Sequence, residues 1–501
     1  MTARAADGRG PESNEALVRR YGDVAYAAQS NPLSHPDRLA GVAALHSLEP
    51  PDVRTCRVLD LGCNDGANLL PLAAALPEAS FVGCDLSPDA IALAREALAE
   101  TGLGNVRLFA GDLRALPEAL GPFDFIIAHG VYSWVPPAVR DALFALANER
   151  LTRDGLAFVT YNVYPGCYVR RAAWEVLHLH TQGLSRASDR LDAARALAAA
   201  LAEAGRLQHE NDALLRREFA RIAGLSDSAL YHDDLAIPND PVYFRDFADH
   251  ASRHGLAFVS EAKLFNSSAL GIAPGMQPYL AEGRLQREQY LDFACLRRFR
   301  QSVLCRAERE PAIAWTPERA RTMHAAASLS LMRAAAQGKP LLNPLRPPLE
   351  ADQTARLRAT LARLLDAAPR AIAVSELERS IGTGTSRSLA TLLAEAYVAD
   401  EIVLHVHPPR VADAAGARPL ASPVARWQAA RGASVTNQKH ETLQLSDAAP
   451  RALLALLDGR RDRQALAAEL GATLGLDDLS ARAERIDRYV RQFARLGLLV
   501  G

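Results

Sequence analysis

Residues 57–66 read RVLDLGCNDG, and residues 80–85 read SFVGCD. Val58, Leu59 and Leu61 make a short apolar run of the kind a strand shows when both its faces are buried. Gly62 and Gly66 allow a sharp turn and a close approach of backbone to a ligand. Residues 67–76 (ANLLPLAAAL) have helical composition, with Pro71 limiting or kinking the first turn. A helix opening directly after such a turn offers free N–H groups to an anionic group. Ser80–Cys84 is predicted as the second strand. Asp85, 25 residues after Asp60, stands at its end, where a carboxylate accepts hydrogen bonds from two ribose hydroxyls. Strand, Gly-rich turn, helix, strand and acid together make a nucleoside-binding unit on a parallel sheet.

The same alternation continues outward. Strands are predicted at 57–61, 80–84, 105–109, 123–128 and 155–161, with helices between them at 88–101 and 137–150. Right-handed crossovers make this a parallel, doubly wound α/β sheet. After Tyr164-Pro165-Gly166 the pattern changes, and residues 168–226 read as helical, with Leu191, Ala194, Leu197, Ala198 and Leu201 on one face. Strand-like sequence returns at 256–265, a helix follows at 285–297, and an alternating run covers 298–306. The pieces assemble as a lead-in (1–50), a nucleotide-binding core (51–168), a helical cap (169–252), the last strands of the core (253–312) and two C-terminal modules (313–410 and 411–501). Helix–helix–helix–strand order gives those modules a mainly α, winged-helix-like character. Their default use is DNA binding, but no dense basic face is visible, and docking or homodimer formation weighs equally. Residues 1–15 are expected to be disordered.

With 501 residues, half of them apolar, sizeable cores are possible. A net charge of −1 argues against a dedicated nucleic-acid binder. The cations are almost all Arg, with Lys only at 263, 339 and 439, which reflects a GC-rich coding sequence. No apolar stretch reaches the length of a membrane span, and Arg19-Arg20 has no apolar segment behind it, so no membrane insertion and no export signal are expected. The cysteines at 56, 63, 84, 167, 295 and 305 include no C-x-x-C pair. A reduced, cytoplasmic chain without disulfides or structural zinc is expected, with no metal in its site.

Several further positions carry candidate chemistry. Gly111-Asp112-Leu113 follows strand three; Asp112 is placed to accept from an adenine amine, or to cap a helix. His129-Gly130-Val131-Tyr132-Ser133-Trp134-Val135-Pro136 follows strand four, at the switch point where ligands bind. Its aromatic residues either wall a pocket for a cation or belong to the core. Tyr161-Asn162-Val163-Tyr164 follows strand five and is placed on the pocket rim. Tyr21, Tyr26 and His35-Pro36 either close over the cofactor or form a simple helical extension. His232-Asp233-Asp234 is either a proton-accepting cluster or a solvated loop, with the loop favoured. His405 and His407 share one face of a strand, and with no third ligand nearby an exposed strand is favoured over a metal pair.

The turn is spaced G-x-x-x-G, not the G-x-G-x-x-G of dinucleotide enzymes, and it resembles the cofactor motif of class I methyltransferases. Beyond it, VLDLGCNDGANLLPLA, FVGCDLS, HGVYSWVP, YNVYPG, NDPVYFRDF, EQYLDFACLRRFRQSVLC, QAARGASVTNQKHETLQL and ALLALLDGRRDR resemble one group. It is the bacterial class I methyltransferases with a methyltransferase regulatory middle domain, which include rickettsial protein-lysine methyltransferases that modify outer-membrane protein. The resemblance implies a Rossmann-like, seven-stranded sheet whose seventh strand is antiparallel. It also implies S-adenosyl-L-methionine as cofactor and methylation of a protein or peptide side chain, on nitrogen or oxygen. The expected cofactor set is Tyr26, His35, Asp60, Gly62, Cys63, Asn64, Gly66, Asn68, Asp85, Leu86, Asp112, Leu113 and His129. The expected methyl-transfer pocket is His129, Tyr132, Trp134, Tyr161 and Tyr164, with His129 or Tyr132 as the base. The chain departs from the group at Asn64, where Gly is usual, and at Cys167, on the substrate rim, where Trp is usual. A tailoring enzyme for a small molecule or ribosomal peptide, and a non-catalytic cofactor sensor, are the alternative readings.

Overall fold

The computed structural model describes residues 23–24, 26, 28–204, 210–382, 387–471 and 478–501. Tyr21 and residues 1–15 lie outside these. Seven strands form one sheet in the order β3-β2-β1-β4-β5-β7-β6. They are β1 (Arg57–Leu61), β2 (Ser80–Asp85), β3 (Val106–Ala110), β4 (Phe123–Ala128), β5 (Leu151–Asn162), β6 (Leu256–Glu261) and β7 (Phe299–Arg306). The pairings β1–β2, β1–β4, β2–β3 and β4–β5 are parallel, whereas β7 runs antiparallel to both β5 and β6. This is the Rossmann-like methyltransferase sheet, and its switch point falls between β1 and β4, so a crevice opens beyond their carboxyl ends.

Successive strand residues feed opposite cores. Val58, Phe125 and Phe158 pack on one face, with Leu39 and Leu45 of helix Pro36–Leu45. Leu59, Ile126 and Val159 pack on the other, with Phe144 and Phe247. The two-residue side-chain period of a strand enforces this split. β6 ends at Glu261, and Leu264–Ser267 is a short 3-10 turn rather than more strand.

Helices Cys167–Thr181, Ala187–Glu203 and Glu210–Ala223 form the cap around a core of their own, including Leu177, Leu191, Ala194 and Phe219. Beyond the sheet, β8 (His324–Ala327), β9 (Ile372–Ala373) and β10 (Ile402–His405) form a three-stranded antiparallel sheet. Helices Ala351–Ala367, Val374–Ile381 and Leu389–Val398 accompany it. The core of this unit runs without a break into one face of the large sheet, because Leu361, Leu393 and Leu404 share a cluster with Val58 and Phe125. β10 is therefore buried along its whole length, which corrects the expectation of an exposed strand there. His405 Nδ1 lies 2.7 Å from Asp37 Oδ2. The last unit, with the hairpin β11 (Ser434–Thr436) and β12 (Thr442–Gln444), has a separate core around Leu454, Ile486 and Phe493.

Candidate active site

The turn after β1 is left-handed at Gly62 (φ 77°), Asn64 (φ 48°) and Gly66 (φ 78°). A side chain at Gly62 is excluded twice over, since its Cβ would also lie 2.6 Å from Val131 Cγ2. Asn64 occupies its position because Asn tolerates that backbone region better than most residues. The turn is tied to the next strand by its amides. Gly62 N–H donates to the Cys84 carbonyl at 2.8 Å, and Asn64 N–H donates to Asp85 Oδ2 at 2.8 Å. Ser87 N–H holds the other Asp85 oxygen at 2.9 Å. Burial raises the Asp85 pKa, and these amide bonds oppose the rise.

A cleft of about 620 Å³ opens from this turn. Asp60, Gly62, Cys63, Asn64, Asn68, Asp85, Leu86, Asp112, Leu113 and His129 line it. Gly66 does not; it shapes the turn from behind, against Leu70. Asp60 is fully enclosed. Burial raises its pKa to about 7, with the charge of Asp85 adding to the rise and the Asn68 amide opposing it. Asp112 caps the 3-10 turn Leu113–Ala115, and its carboxylate is also gripped by the Arg114 guanidinium.

The cradle fits a nucleoside cofactor. Among the described residues, the buried Asn64 side-chain nitrogen has no hydrogen-bond partner although the residue lines the cleft. Gly130, at φ 70°, has open space where its Cβ would stand. Both leave donors and room for a ligand that the protein itself does not fill.

The far end of the cleft is lined by Trp134, Tyr26, Phe299 and Asn162, with Arg170, His232 and Asp233 of the cap and Arg298 beside them. His129 also lines the cleft. Burial lowers its pKa to about 4, so the ring is neutral. The Thr160 hydroxyl lies 3.1 Å from His129 Nδ1 and accepts the Gly130 N–H at 2.8 Å. The Asn31 amide approaches the same Nδ1 at 3.5 Å.

Three of the aromatic residues expected in the pocket are elsewhere. Tyr132 is in the core against Phe144 and Phe247, with its hydroxyl 2.9 Å from His250 Nδ1. Burial raises its pKa to about 12, which removes it as a base. Tyr161 stacks on Phe247 at 3.7 Å and meets Ser302 Oγ at 3.0 Å. Strand parity explains this. Asn162 lines the cleft and Thr160 meets His129 and Gly130 on the same side, so Tyr161 between them faces the core. Tyr164 stacks on Tyr168 at 4.3 Å, away from the cleft lining.

His35 is also displaced. It caps helix Pro36–Leu45 by accepting the Asp37 N–H at 3.0 Å, and it faces His440 of the last unit at 5.9 Å. Burial takes its pKa to about 4 against the opposing charge of Asp37. Tyr26, by contrast, is at the cleft, edge-on to His232 at 5.3 Å. His232 is buried and donates from Nε2 to the Val24 carbonyl at 2.7 Å, so the solvated-loop expectation for it is corrected.

Some lining residues had no assignment from sequence. Gln29, Ser30, Asn31 and Pro32 form a strap over the cleft. The Asn31 amide donates to Gln301 Oε1 at 2.9 Å, and Asn31 N–H donates to Asn68 Oδ1 at 3.0 Å. The same Asn68 oxygen receives His440 Nε2 at 2.9 Å. Residues 29–32 (QSNP) lie outside every motif quoted above, and their contacts to Asn68 and Gln301 cross 37 and 270 residues of chain.

Known families agree with this architecture. A methyltransferase domain model matches residues 58–155, a predicted methyltransferase regulatory domain matches 226–306, and the PKMT C-terminal winged helix domain matches 417–487. The chain belongs to the class I S-adenosylmethionine-dependent methyltransferases that carry this regulatory domain. Among its relatives, RP028 of Rickettsia prowazekii is 31% identical over 243 residues, which is 46% of this chain and 94% of that protein. RP789 of the same organism is 31% identical over 290 residues, covering 57% of this chain but only 52% of its own length. PKMT2 from Rickettsia typhi superposes with a TM-score of 0.79 at 22% identity, covering 95% of this chain and 100% of that one. It has also been solved in complex with AdoHcy.

Proposed function

We propose that this methyltransferase acts on a side chain of a protein or peptide, at nitrogen or oxygen. The observation that carries the reading is one cleft lined both by the Asp85 cradle with His129 and by Trp134, Tyr26 and Phe299, the last two exposed at the surface. An end open to solvent suits a side chain presented by a larger molecule. The shared fold of PKMT2, over nearly the whole length of both chains, supports the same direction.

S-Adenosylmethionine supplies an already activated methyl group on a sulfonium. When bound, it would pass that methyl to an amine or hydroxyl of the substrate, the sulfur keeping the bonding pair as a neutral thioether and the acceptor's proton passing to solvent. In our reading Asp85 holds the ribose, and the turn from Gly62 to Asn68 holds the amino-acid end. Asp112 or the adjacent backbone meets the base. Trp134 offers a π-face to a cation. With the methyl already activated, alignment of donor and acceptor supplies much of the rate.

The test is transfer of labelled methyl into host lysate, separated into macromolecular and small-molecule fractions. Label in a protein or peptide band supports the proposal, and mass spectrometry then places the residue. Label confined to small molecules overturns the substrate class. Asp85→Ala serves as the control for the site, with cofactor affinity expected to fall roughly a hundredfold through loss of charge-assisted hydrogen bonds. Undiminished affinity by calorimetry would refute the site assignment.

A further inference from the structure

Behind the aromatic wall of the cleft, three side chains from two helices converge. Asp141 comes from helix Pro137–Arg150. His250 lies on helix Phe244–Arg253, and His254 caps its end. His250 Nε2 is 2.8 Å and His254 Nε2 is 3.3 Å from the same oxygen, Asp141 Oδ1. One ligand atom from each residue lies within 4.8 Å of the others.

We propose that Asp141, His250 and His254 form a binding site for a divalent transition-metal ion of the zinc type. Two histidines four residues apart share one face of a helix, the spacing at which a helix presents a pair of imidazoles to one ion. Zinc bonds to His nitrogen and carboxylate oxygen are about 2.0–2.1 Å, so two ligand atoms of a tetrahedral site lie roughly 3.3 Å apart. The His254 nitrogen already stands at that separation from Asp141 Oδ1, and the His250 nitrogen, at 2.8 Å, would move outward by about 0.5 Å. Two imidazoles and one carboxylate suit zinc and its neighbours, whereas calcium and magnesium favour oxygen ligands throughout.

The outer partners are also in place. His250 Nδ1 lies 2.9 Å from the Tyr132 hydroxyl. Such a partner fixes the ring and directs Nε2 outward, as supporting groups do at zinc sites. The Asp141 side chain is 57% exposed, so the remaining coordination position faces water. An ion here would clasp the helix that follows Trp134 and Pro136 to the helix that leads into β6. That would stiffen one lip of the cleft without entering it.

The experiment uses the full chain, tag-free and treated with chelator, titrated with zinc by calorimetry and by thermal unfolding. The wild type is expected to bind a single zinc with a Kd below about 1 μM and to melt at a higher temperature when loaded. His254→Ala removes a ligand at the end of its helix whose side chain is 24% exposed, so the metal-free variant should melt like the wild type. Its zinc affinity should drop roughly ten- to a hundredfold, and the zinc-dependent rise in melting temperature should vanish. Asp141→Asn should behave in the same direction. No binding at that strength by the wild type overturns the proposal. So does equal binding by both variants, which would place the ion elsewhere, for example on the exposed Cys295.

Discussion

At the residue scale, the division between Tyr132 and Trp134 decides how the site works. Tyr132 is 3% exposed, hydrogen-bonded to His250 and surrounded by aromatic rings. Tyr132→Phe is therefore expected to keep methyl transfer within about threefold while losing about 1 kcal/mol of stability, the net worth of one hydrogen bond. A loss of two or more orders of magnitude in kcat, with the fold intact, would restore it as a catalytic group. Asp60 gives a prediction in pH. Its folded pKa is raised to about 7 by burial, while an unfolded Asp titrates near 3.9. Between these values the folded state holds a proton that the unfolded state has lost, so stability falls as pH rises through that window and levels off above it. Asp60→Asn should remove this fall, read as a flatter dependence of denaturant midpoint between about pH 4 and pH 7. An unchanged slope would show that Asp60 ionises normally.

At the scale of elements, the antiparallel β6–β7 pair, joined through helix Arg284–Cys295, is the part that needs most from its surroundings. Arg300 of β7 is fully buried and bridges Glu261 of β6 with Glu288 and Asp292 of the helix Arg284–Cys295. Its guanidinium also lies 4.1 Å from the Phe244 ring. The network holds the next residue in turn, because Glu261 Oε2 accepts the Gln301 N–H at 2.8 Å and the Gln301 side chain accepts from Asn31 of the strap. Arg300→Met leaves buried acids without their cation and is expected to cost about 3–5 kcal/mol. Limited proteolysis should show faster cleavage in the strap and in the β6–β7 connection than in the last unit, whose core is separate. Uniform resistance in the variant would mean that the network is not what holds the β6–β7 pair.

At the scale of the whole molecule, the C-terminal units pack against the elements that shape the cleft. The first merges its core with one face of the sheet. The second sends His440 to the turn, where its Nε2 meets Asn68 Oδ1, and Asn68 in turn donates to Asp60 Oδ2 at 3.3 Å. Desolvation holds the His440 pKa well below its ordinary value, so the neutral ring is the donor across a wide range of pH. His440→Ala should weaken cofactor binding by roughly tenfold, about one buried hydrogen bond, without a large change in melting temperature of the sheet domain. Unaltered affinity would show that the contact is structural only.

Much of this was legible in the chain itself. The β1 turn, Asp85 and the order of strands follow from local period and punctuation, since apolar runs of four to six residues and left-handed turns are decided by near neighbours. Trp134 and Asn162, each just beyond a strand end, line the cleft. Other positions depended on partners far away. Tyr161 and Asn162 differ by one residue, yet opposite faces of β5 send one to the core and the other to the cleft. His35 turned toward His440, His405 found Asp37, and Asn31 reached Gln301, each across more than 200 residues of chain. The convergence of Asp141 with His250 and His254 likewise exists only once two helices pack together. Sequence by itself determined the family, the sheet and the cofactor turn, because those rest on local geometry. Tertiary structure alone decided which side chains meet in the cleft, because burial and hydrogen-bond partners are settled by the packing of distant segments.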